Sequence, residues 1–480
     1  MRINIRTTKL LKIMKPLIKF VCIALALFLI SVIIINIIRP LGRKNISKDY
    51  SESILNTDYY RDEAGTERIL CIDNNEDALL WRLRMIGNAK ESIIMTTFDL
   101  RMDDRGLDVV SALHDAADRG VKVKILVDGI YEPVFLRGNS TFYALCSHEN
   151  IEVRMYNPIK LKNIYNANYR MHDKYLMVDE CMYMLGGRNT SNIFLGGMNA
   201  ASNVDRDLLV YNSAPGKGES FLQLENYFEQ IWTENRVSTV SKNMDEDILK
   251  EEYEQLASRY MALSDEHEDF SKFDDWYEST LEADKITLIS NGTAPANKEP
   301  RVLYTIGELA DNADEVIIQT PYIICDKHMY SVLRDIEKHA DLKIMINSVE
   351  KGSNPWGCTD YLNNKNKVLD TGADVYELMN EYALHTKTVL IDDTISIIGS
   401  YNLDMRSTYI DTELMLVVDS EQLNASIREE FEQYKEKSVE VLSNGKETTG
   451  SLYQEKEMTT SKKIIYGILR VVIIPFRHLL

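Results

Sequence analysis

Two segments of the chain repeat one spacing of a histidine, a lysine and an aspartate, H-x-K-x-x-x-x-D. The residues with this spacing are His172, Lys174 and Asp179 in the first copy and His385, Lys387 and Asp392 in the second. Small residues and an asparagine follow each copy: Gly186, Gly187 and Asn189, then Gly399, Ser400 and Asn402. One such match arises by chance in on the order of a few per cent of chains this long. Two matches with the same trailing residues make a specific signal.

The residues around each motif predict a β-strand, because β-branched, apolar and polar residues alternate in K-Y-L-M-V-D and K-T-V-L-I-D. Side chains two positions apart on a strand share a face, so each imidazole lies beside the ammonium of its own motif. Two neighbouring cationic groups repel one another and attract an anion. An exposed strand with scattered polar residues is the alternative, which the duplication disfavours.

A cleft that both motifs face would hold two imidazoles, two ammoniums and two carboxamides. Such a set suits a phosphodiester, whose negative charge grows toward a five-coordinate transition state. The lysines would supply the stabilisation that Mg²⁺ supplies in other phosphoryl-transfer enzymes, so we expect no metal and no other cofactor. Two histidines allow a double displacement with one neutral nucleophile and one protonated acid.

The same order of predicted elements precedes both motifs. The order is strand, helix, strand and a further strand, over 91–98, 106–120, 121–129 and 151–158 in the first half and 314–322, 331–339, 342–349 and 373–379 in the second. Alternation of strands and helices predicts an α/β fold with a layered sheet in each of two pseudo-symmetric halves.

Composition shifts divide the chain into five predicted segments. They are a basic segment and transmembrane anchor (1–45), the first half (46–235), an acidic, solvated helical connector (236–285), the second half (286–442), and a mobile linker with an amphipathic C-terminal tail (443–480).

The N-terminal segment contains an apolar run from Phe20 to Ile38 without a charged residue. As a helix the run would be about 28 Å long, close to the thickness of a bilayer core. A cleaved signal peptide is the alternative, but R-P-L-G-R-K offers no small-residue cleavage site. Six basic residues precede the run and four follow it. This excess favours a cytoplasmic N-terminus and a body outside the cytoplasm.

The C-terminal tail, residues 462–480, is an apolar run too short to span a bilayer, with Lys462, Lys463, Arg470 and Arg477 interleaved. This pattern is typical of an interfacial helix that lies on anionic headgroups. A helix that packs on the protein core is an equal alternative.

Charge and cysteine content limit the function classes. The net charge is −19, and residues 1–44 carry nine basic and no acidic residues, which leaves −28 for the rest. Such an acidic body is a poor partner for nucleic acid, so a phosphate must be bound locally. The six cysteines show no C-x-x-C pair and are expected to be core residues or free thiols.

The two motifs and the sequence G-S-Y-N-L-D-M-R-S resemble the phospholipase D superfamily, and within it the bacterial cardiolipin synthase branch. The resemblance runs from about Arg68 to Ser420. It implies two phospholipase D-like halves, each a mixed β-sheet flanked by helices, in a protein of a bacterial cell membrane, and the one apolar run predicts a single-pass protein. The chain departs from the branch in having one clear span where many relatives have two, and M-R-S where P-R-S is usual.

The resemblance also implies roles for the site residues. His172 would be the nucleophile that forms a phosphohistidine, and His385 the acid that protonates the departing alcohol. Four residues would hold the non-bridging phosphate oxygens: Lys174, Lys387, Asn189 and Asn402. Asp207 and Glu413, in the acidic strands D-R-D-L-L-V-Y and D-T-E-L-M-L-V-V, would accept a hydrogen bond from the motif histidines. Asp179 and Asp392 complete the catalytic motifs, where we expect them to brace the strand rather than react.

The leading function is a transphosphatidylase that makes cardiolipin from phosphatidylglycerol or another phospholipid donor at the membrane. A hydrolytic phospholipase D differs only in using water as the second nucleophile, which the sequence leaves open. A membrane-tethered nuclease is disfavoured by the charge of the body. A catalytically silent scaffold predicts decay of a motif, and both motifs are intact. The oligomeric state is left open.

Overall fold

The computed structural model describes residues 2–197, 202–240, 244–267 and 270–480, with side chains from residue 18 onward. Five of the six basic residues used for the topology prediction precede residue 18, so their side chains lie outside the described part. Within these ranges the chain forms two nine-stranded sheets, a small two-stranded sheet and fourteen α-helices.

The strands alternate with helices along both halves. In chain order they are β1 Glu67–Ile72, β2 Ser92–Thr97, β3 Lys122–Asp128, β4 Ile151–Tyr156, β5 Tyr175–Val178, β6 Met182–Gly186, β7 Asn203–Val204, β8 Asp207–Asn212, β9 Val237–Thr239, β10 Leu281–Glu282, β11 Lys285–Ser290, β12 Glu315–Gln319, β13 Asp341–Asn347, β14 Asp374–Leu378, β15 Ala383–Leu384, β16 Thr388–Ile391, β17 Ile395–Gly399, β18 Leu414–Asp419, β19 Ser438–Val441 and β20 Glu447–Thr449.

Helices flank both faces of the sheets and lie near the two ends of the chain. They are α1 Arg2–Ile38, α2 Lys48–Leu55, α3 Asn75–Asn88, α4 Asp104–Asp118, α5 Ser140–Leu145, α6 Asn192–Leu195, α7 Glu219–Trp232, α8 Glu246–Glu266, α9 Arg301–Leu309, α10 Lys327–Glu337, α11 Pro355–Leu369, α12 Met405–Tyr409, α13 Glu421–Lys435 and α14 Thr460–Val472.

Eight strands of each large sheet follow the same order and the ninth lies at opposite edges, which confirms the predicted α/β fold with two similar halves. The strand orders are β10-β1-β8-β6-β5-β2-β3-β4-β9 and β11-β18-β17-β16-β12-β13-β14-β19-β20. Strands β2, β3 and β4 are parallel, and so are β12, β13 and β14. The motif strands β5 and β16 pair antiparallel with β2 and β12, so both sheets are mixed.

Local sequence sets the ends of these elements. Asp103 caps α4 by accepting a hydrogen bond from the Gly106 amide, and the chain leaves that helix through Gly120 at a φ of +96°. Asp326 caps α10 in the second half in the same way, through the Met329 amide. The predicted strand and helix positions are therefore confirmed for these repeated units.

The halves are joined by a shared core. One apolar cluster combines strand residues of the first sheet, such as Tyr175 and Leu208, with Ile317 and Leu390 of the second. Residues of α7 and α13 complete the cluster. Burial of both inner faces against one another fixes the halves relative to each other. None of the six cysteines forms a disulfide.

The connector differs from its description as a solvated helical segment. Its strands β9 and β10 lie at the two edges of the first sheet, so the first half extends beyond residue 235. Helix α8 packs on α4 and α5 and buries Leu256 and Leu263. Strands of two or three residues carry too little periodicity to be found in sequence.

The N-terminal helix and the C-terminal tail meet at one place on the body. Residues Ile18–Leu41 form a helical segment long and apolar enough to cross a membrane, and its most apolar stretch has a mean hydropathy of 3.1 and no buried residue. The His478 Nε2 atom lies 2.7 Å from the Ile37 carbonyl oxygen, so the tail returns to the end of this helix.

Helix α14 has features of both predictions for the tail, the helix packed on the protein core and the interfacial helix. It packs on α11 and buries Tyr466, while several apolar side chains stay exposed: Ile464, Ile465, Ile468, Val471, Val472 and Ile474. Residues 447–449, in the segment expected to be mobile, form the edge strand β20.

Candidate active site

The two motif histidines lie where the halves contact one another, just before β5 and β16. The His172 amide donates to the Thr412 carbonyl oxygen at 3.3 Å, and Met171 forms a bridge with Thr412. The His385 amide donates to the Val204 carbonyl oxygen at 2.6 Å, where β15 pairs with β7. Each histidine backbone is thus held by the opposite half.

The imidazoles are paired with carboxyl groups in the same crossed manner. His172 Nδ1 lies 3.0 Å from Glu413 Oε1, and His385 Nδ1 lies 2.5 Å from Asp205 Oδ2. Both carboxyl groups are buried. A carboxyl partner at Nδ1 fixes the ring orientation and leaves Nε2 as the reactive nitrogen.

The predicted hydrogen bond between a motif histidine and Asp207 is wrong. Asp207 Oδ2 accepts from Arg82 at 2.9 Å and from Arg188 at 3.2 Å. The sheet register gives the reason. Gly186 pairs with Asp207 while Gly399 pairs with Met415, so the position equivalent to Glu413 is Asp205. Matching the two acidic strands by sequence alone selected Asp207, the second acid of D-R-D, whereas the register selects Asp205, the first.

The glycines behind the first motif make room for this acid. A Cβ atom on Gly187 would lie 2.2 Å from Asp205 Oδ1, far inside van der Waals contact. The next residue, Arg206, is buried and joins the halves: it donates to Asp73 at 2.7 Å, to Gln319 at 3.2 Å and to Thr388 at 3.1 Å. Close backbone approach therefore explains the glycine, and Arg206 fixes the segment that carries Asp205.

The motif lysines are buried beside their histidines. Lys174 Nζ donates to the His172 carbonyl oxygen at 2.5 Å, and Lys387 Nζ donates to that of His385. Lys387 Nζ also lies 3.8 Å from Asp205 Oδ2. Burial lowers the pKa of Lys174 to about 8 and lowers that of Lys387. These two buried ammoniums attract a phosphodiester and repel a metal cation.

Burial and the lysines lower the pKa of both imidazoles. The pKa of His172 lies well below its ordinary value, because of burial first and the ammoniums of Lys174 and Lys387 second. Burial and Lys387 lower the pKa of His385 to about 4. A neutral imidazole has a free lone pair at Nε2, as a nucleophile requires.

The two carboxyl partners differ in charge. Burial raises the pKa of Glu413 to about 8, and Ser400 Oγ donates to its Oε2 at 2.5 Å. Burial would also raise the pKa of Asp205, but Lys387 and His385 outweigh it and hold that pKa below its ordinary value. His385 thus faces a carboxylate, and His172 faces a carboxyl group that is largely protonated near neutral pH.

Asp179 and Asp392 lie away from the imidazoles, so their place among the catalytic residues is wrong and the expected bracing role fits. Asp179 Oδ1 accepts from the Glu91 and Ser92 amides at 2.8 and 3.0 Å. Asp392 Oδ1 accepts from the Asp314 and Glu315 amides at 2.8 and 3.0 Å. Both aspartates have φ near +50°, at 50° and 47°. They tie the far end of each motif strand to the start of its neighbour.

The asparagines and two phenylalanines complete the surroundings of the motifs. Asn189 Oδ1 accepts from the Asp99 amide at 3.2 Å, which leaves the N–H groups of that carboxamide as donors. Asn402 is buried and follows the end of β17 by three residues. The ring of Phe98 lies edge-on to His172 at 5.2 Å between centroids, and Phe194 to His385 at 5.0 Å. Sequence reasoning missed both phenylalanines, Arg206 and Asp205.

The chain is similar to a known protein family and to bacterial proteins. Residues 83–232 and 306–435, more than half of the chain, match the model of a family described as cardiolipin synthase, PLD-like domain. Cardiolipin synthase C of Escherichia coli K12 is 25% identical over 403 residues, which cover 75% of this chain and 83% of that protein. An uncharacterized protein of Helicobacter pylori J99 is 28% identical over 399 residues, 75% of this chain and 77% of that one.

A solved structure is similar over nearly the whole chain. It is the crystal structure of phosphatidylserine synthase from Haemophilus influenzae Rd KW20, with a TM-score of 0.64 and 16% sequence identity. The match covers 90% of this chain and 99% of that one. At this identity the likeness concerns the fold.

Proposed function

This chain belongs to the cardiolipin synthase family with phospholipase D-like domains, and we propose that it is a membrane-bound phosphatidyltransferase that makes cardiolipin from phosphatidylglycerol or another phospholipid donor. The observation that carries the proposal is the crossed pairing of His172 with Glu413 and of His385 with Asp205. It gives one cationic site, in which the lysines of both motifs lower the pKa of His172, two oriented imidazoles. A double displacement at phosphorus needs that pair.

In the first step, His172 Nε2 attacks the phosphorus of the donor. The phosphorus–oxygen bond to the headgroup alcohol breaks, and protonated His385 gives its Nε2 proton to the departing oxygen. The phosphatidyl group is then bound to His172. Lys174, Lys387 and the two motif asparagines, Asn189 and Asn402, stabilise the charge on the non-bridging oxygens.

In the second step, His385 takes the proton of an incoming primary alcohol. That oxygen attacks phosphorus, and the bond from phosphorus to His172 Nε2 breaks. With phosphatidylglycerol as donor and acceptor, the products are cardiolipin and glycerol. The acid of the first step is the base of the second, as microscopic reversibility requires.

The unequal carboxyl groups support this division of roles. An ionised Asp205 stabilises the imidazolium form of His385, which the acid role needs. A largely protonated Glu413 gives His172 no such charge, so His172 stays neutral and nucleophilic. A bound phosphodiester anion would also offset the ammoniums that lower the pKa of His385.

Asp205→Asn is expected to lower the rate of transfer by about 10²- to 10³-fold, because His385 loses the charge that stabilises its imidazolium and fixes its tautomer. Asp207→Asn is the matched control. It removes a carboxylate from one buried and one partly buried arginine and should lower the free energy of unfolding by about 3 kcal/mol, with less than about tenfold effect on the rate of the folded protein. Rates and denaturant melts of both variants provide the test. A larger rate loss for Asp207→Asn would contradict the assignment.

The fall of kcat/KM for transfer with rising pH is expected to steepen by a further factor of about ten per pH unit above about pH 8, beyond the fall that deprotonation of His385 causes at lower pH. The reason is that Lys174, with a pKa of about 8, loses its charge as the pH rises through that value. Pre-steady-state rates on mixed micelles between about pH 6 and 10 measure the profile. Glu413→Gln removes the carboxyl group that titrates nearby, and the descending limb should persist in its residual activity. Loss of the limb in Glu413→Gln would assign it to Glu413 instead.

Hydrolysis competes with transfer at the second step, where water can replace the lipid alcohol. The apolar edges of Phe98 and Phe194 against the two imidazoles favour transfer, because they limit the space for water beside the intermediate. Nuclease activity is disfavoured by the charge of −28 beyond residue 44.

Expression in a bacterial strain without its own cardiolipin synthases tests the proposal. Isotope-labelled phosphatidylglycerol is supplied, and lipids are read by mass spectrometry. Labelled cardiolipin is the expected product, and it should be absent with a variant that lacks both motif histidines. Phosphatidic acid alone would make the protein a hydrolase, and cleavage of single- or double-stranded DNA in place of lipid would make it a nuclease.

We also propose that α1 anchors the protein as a single-pass span with the body outside the cytoplasm. The excess of six basic residues before the span over four after it supports this side. Protease added to spheroplasts should then digest the body, and survival of the body until the membrane is opened would reverse the orientation.

A further inference from the structure

A cavity of about 340 Å³ lies on the second half, away from the motif residues. It is formed between α10, α11 and the C-terminal tail. The charged side chains that line it are Lys327, Arg334, Lys367, Arg477, Asp326 and Asp370. We propose that this cavity, called the basic pocket below, binds the phosphate of an anionic phospholipid headgroup from the membrane that the anchor spans. The proposal needs the anchor to span a bilayer but does not rest on the proposed reaction.

The charges of the basic pocket favour an anion. Asp326 forms an ion pair with Arg43, and Arg477 forms one with Asp360 through Nη2 and Oδ2 at 2.9 Å. The positive and negative charges within each of these pairs cancel. The remaining side chains are Lys327, Arg334 and Lys367, against Asp370 alone, which leaves a local excess of two positive charges. The body carries a net charge of −28, so a local excess of positive charge is unusual on it and favours an anionic ligand at this place.

The geometry of α10 strengthens this preference. Lys327, Tyr330 and Arg334 are spaced by three and four residues, so they lie on one face of the helix. Helical side chains lean toward the N-terminus, which brings Arg334 toward Lys327. The positive end of the helix dipole lies at the same place, because Lys327 is the first residue of α10. Cations and dipole act together on one side of the cavity.

The basic pocket lies beside the point where the chain leaves the membrane. Arg43, which pairs with Asp326, follows the last residue of α1, Ile38, by five positions. Arg477 lines the pocket, and the adjacent His478 contacts the Ile37 carbonyl oxygen. The headgroup layer adds about 5 to 7 Å on each side of the hydrocarbon core. A headgroup phosphate in that layer is therefore within reach while its acyl chains stay in the bilayer.

Hydrogen exchange and native mass spectrometry of the full chain in zwitterionic micelles test the proposal. Titration with phosphatidylglycerol should protect the first turns of α10, whereas phosphatidylcholine should not. Each surface Lys or Arg contributes about fivefold to binding of anionic lipid, so Lys327→Gln/Arg334→Gln should weaken this protection about 30-fold and remove one retained lipid. Lys90→Gln/Lys338→Gln removes the same charge at exposed sites elsewhere and should behave as the wild type. Lys327→Glu, at an exposed position, provides a second variant if the first folds poorly.

Three results would overturn the proposal. The first is equal lipid retention and equal protection of α10 in the pocket variant and the control variant. The second is equal protection by phosphatidylcholine, which would show that the headgroup charge is not recognised. The third is protection of α10 by inorganic phosphate without phosphatidylglycerol at the same concentration, which would assign the pocket to free phosphate. Protection by phosphatidylglycerol alone, lost only in the pocket variants, supports it.

Discussion

Replacing His172 by alanine is expected to lower lipid transfer by at least about 10⁴-fold, because no other side chain in the cleft can form the covalent intermediate. His172 Nε2 is the free nitrogen of a ring held at Nδ1 by Glu413, and the ring is neutral. His385 cannot take its place without losing the proton donor. Transfer is measured by mass spectrometry of the lipid products from labelled phosphatidylglycerol.

Trapping the intermediate gives this prediction a second readout. Wild-type protein mixed with donor lipid and then denatured under alkaline conditions should carry a phosphatidyl group on His172 in peptide mass spectra. His339→Ala, at an exposed position outside the cleft, is the control and should retain both label and activity. Label on His385 would exchange the two roles, and active protein without label on any histidine would end the covalent mechanism.

The second large effect is that of replacing His385, and the size of the resulting rate decrease should depend on the leaving group. With phosphatidylglycerol, His385→Ala should lower the rate by about 10³-fold, because the departing alcohol needs a proton. With a nitrophenyl phosphodiester, whose leaving group departs as a stable anion, the first step should slow by less than about tenfold. A rapid release of nitrophenol should precede slow turnover, and the labelled His172 should accumulate.

The comparison between the two histidines makes the result decisive. His172→Ala should show no release of nitrophenol, since the nucleophile itself is missing. If His385→Ala loses activity on the nitrophenyl substrate and on the lipid substrate to the same extent, proton donation is not the role of His385. If His172→Ala regains activity with the better leaving group, the assignments must be exchanged.

The sequence predicted the parts of the molecule that depend on short-range pattern. Strands β5 and β16 and the helix and strands before them were identifiable because each of these elements extends over four or more residues with a strand or helix pattern. The duplication of H-x-K-x-x-x-x-D located the imidazoles and ammoniums, and the two motifs lie close enough for the ammoniums of both to lower the pKa of His172. The bracing role of Asp179 and Asp392 also fits the positions of those residues after the motif strands.

What the sequence could not provide depends on long-range register. Asp205 and Asp207 are both acids before a strand, and only the pairing of Gly186 with Asp207 and of Gly399 with Met415 decides between them. The contact of Asp205 with His385 joins residues 180 positions apart. Short edge strands such as β9 and β10 failed for another reason, because two or three residues carry no readable period.

The exchange of carboxyl partners between the halves has a consequence for how the protein behaves on dilution. Each half carries a histidine whose orienting acid belongs to the other half, so neither half alone contains a finished proton relay. The polypeptide is in effect a dimer fused into one chain, and the fusion replaces an association equilibrium by a fixed high local concentration. Turnover per molecule should therefore stay constant as the protein becomes scarce in the membrane.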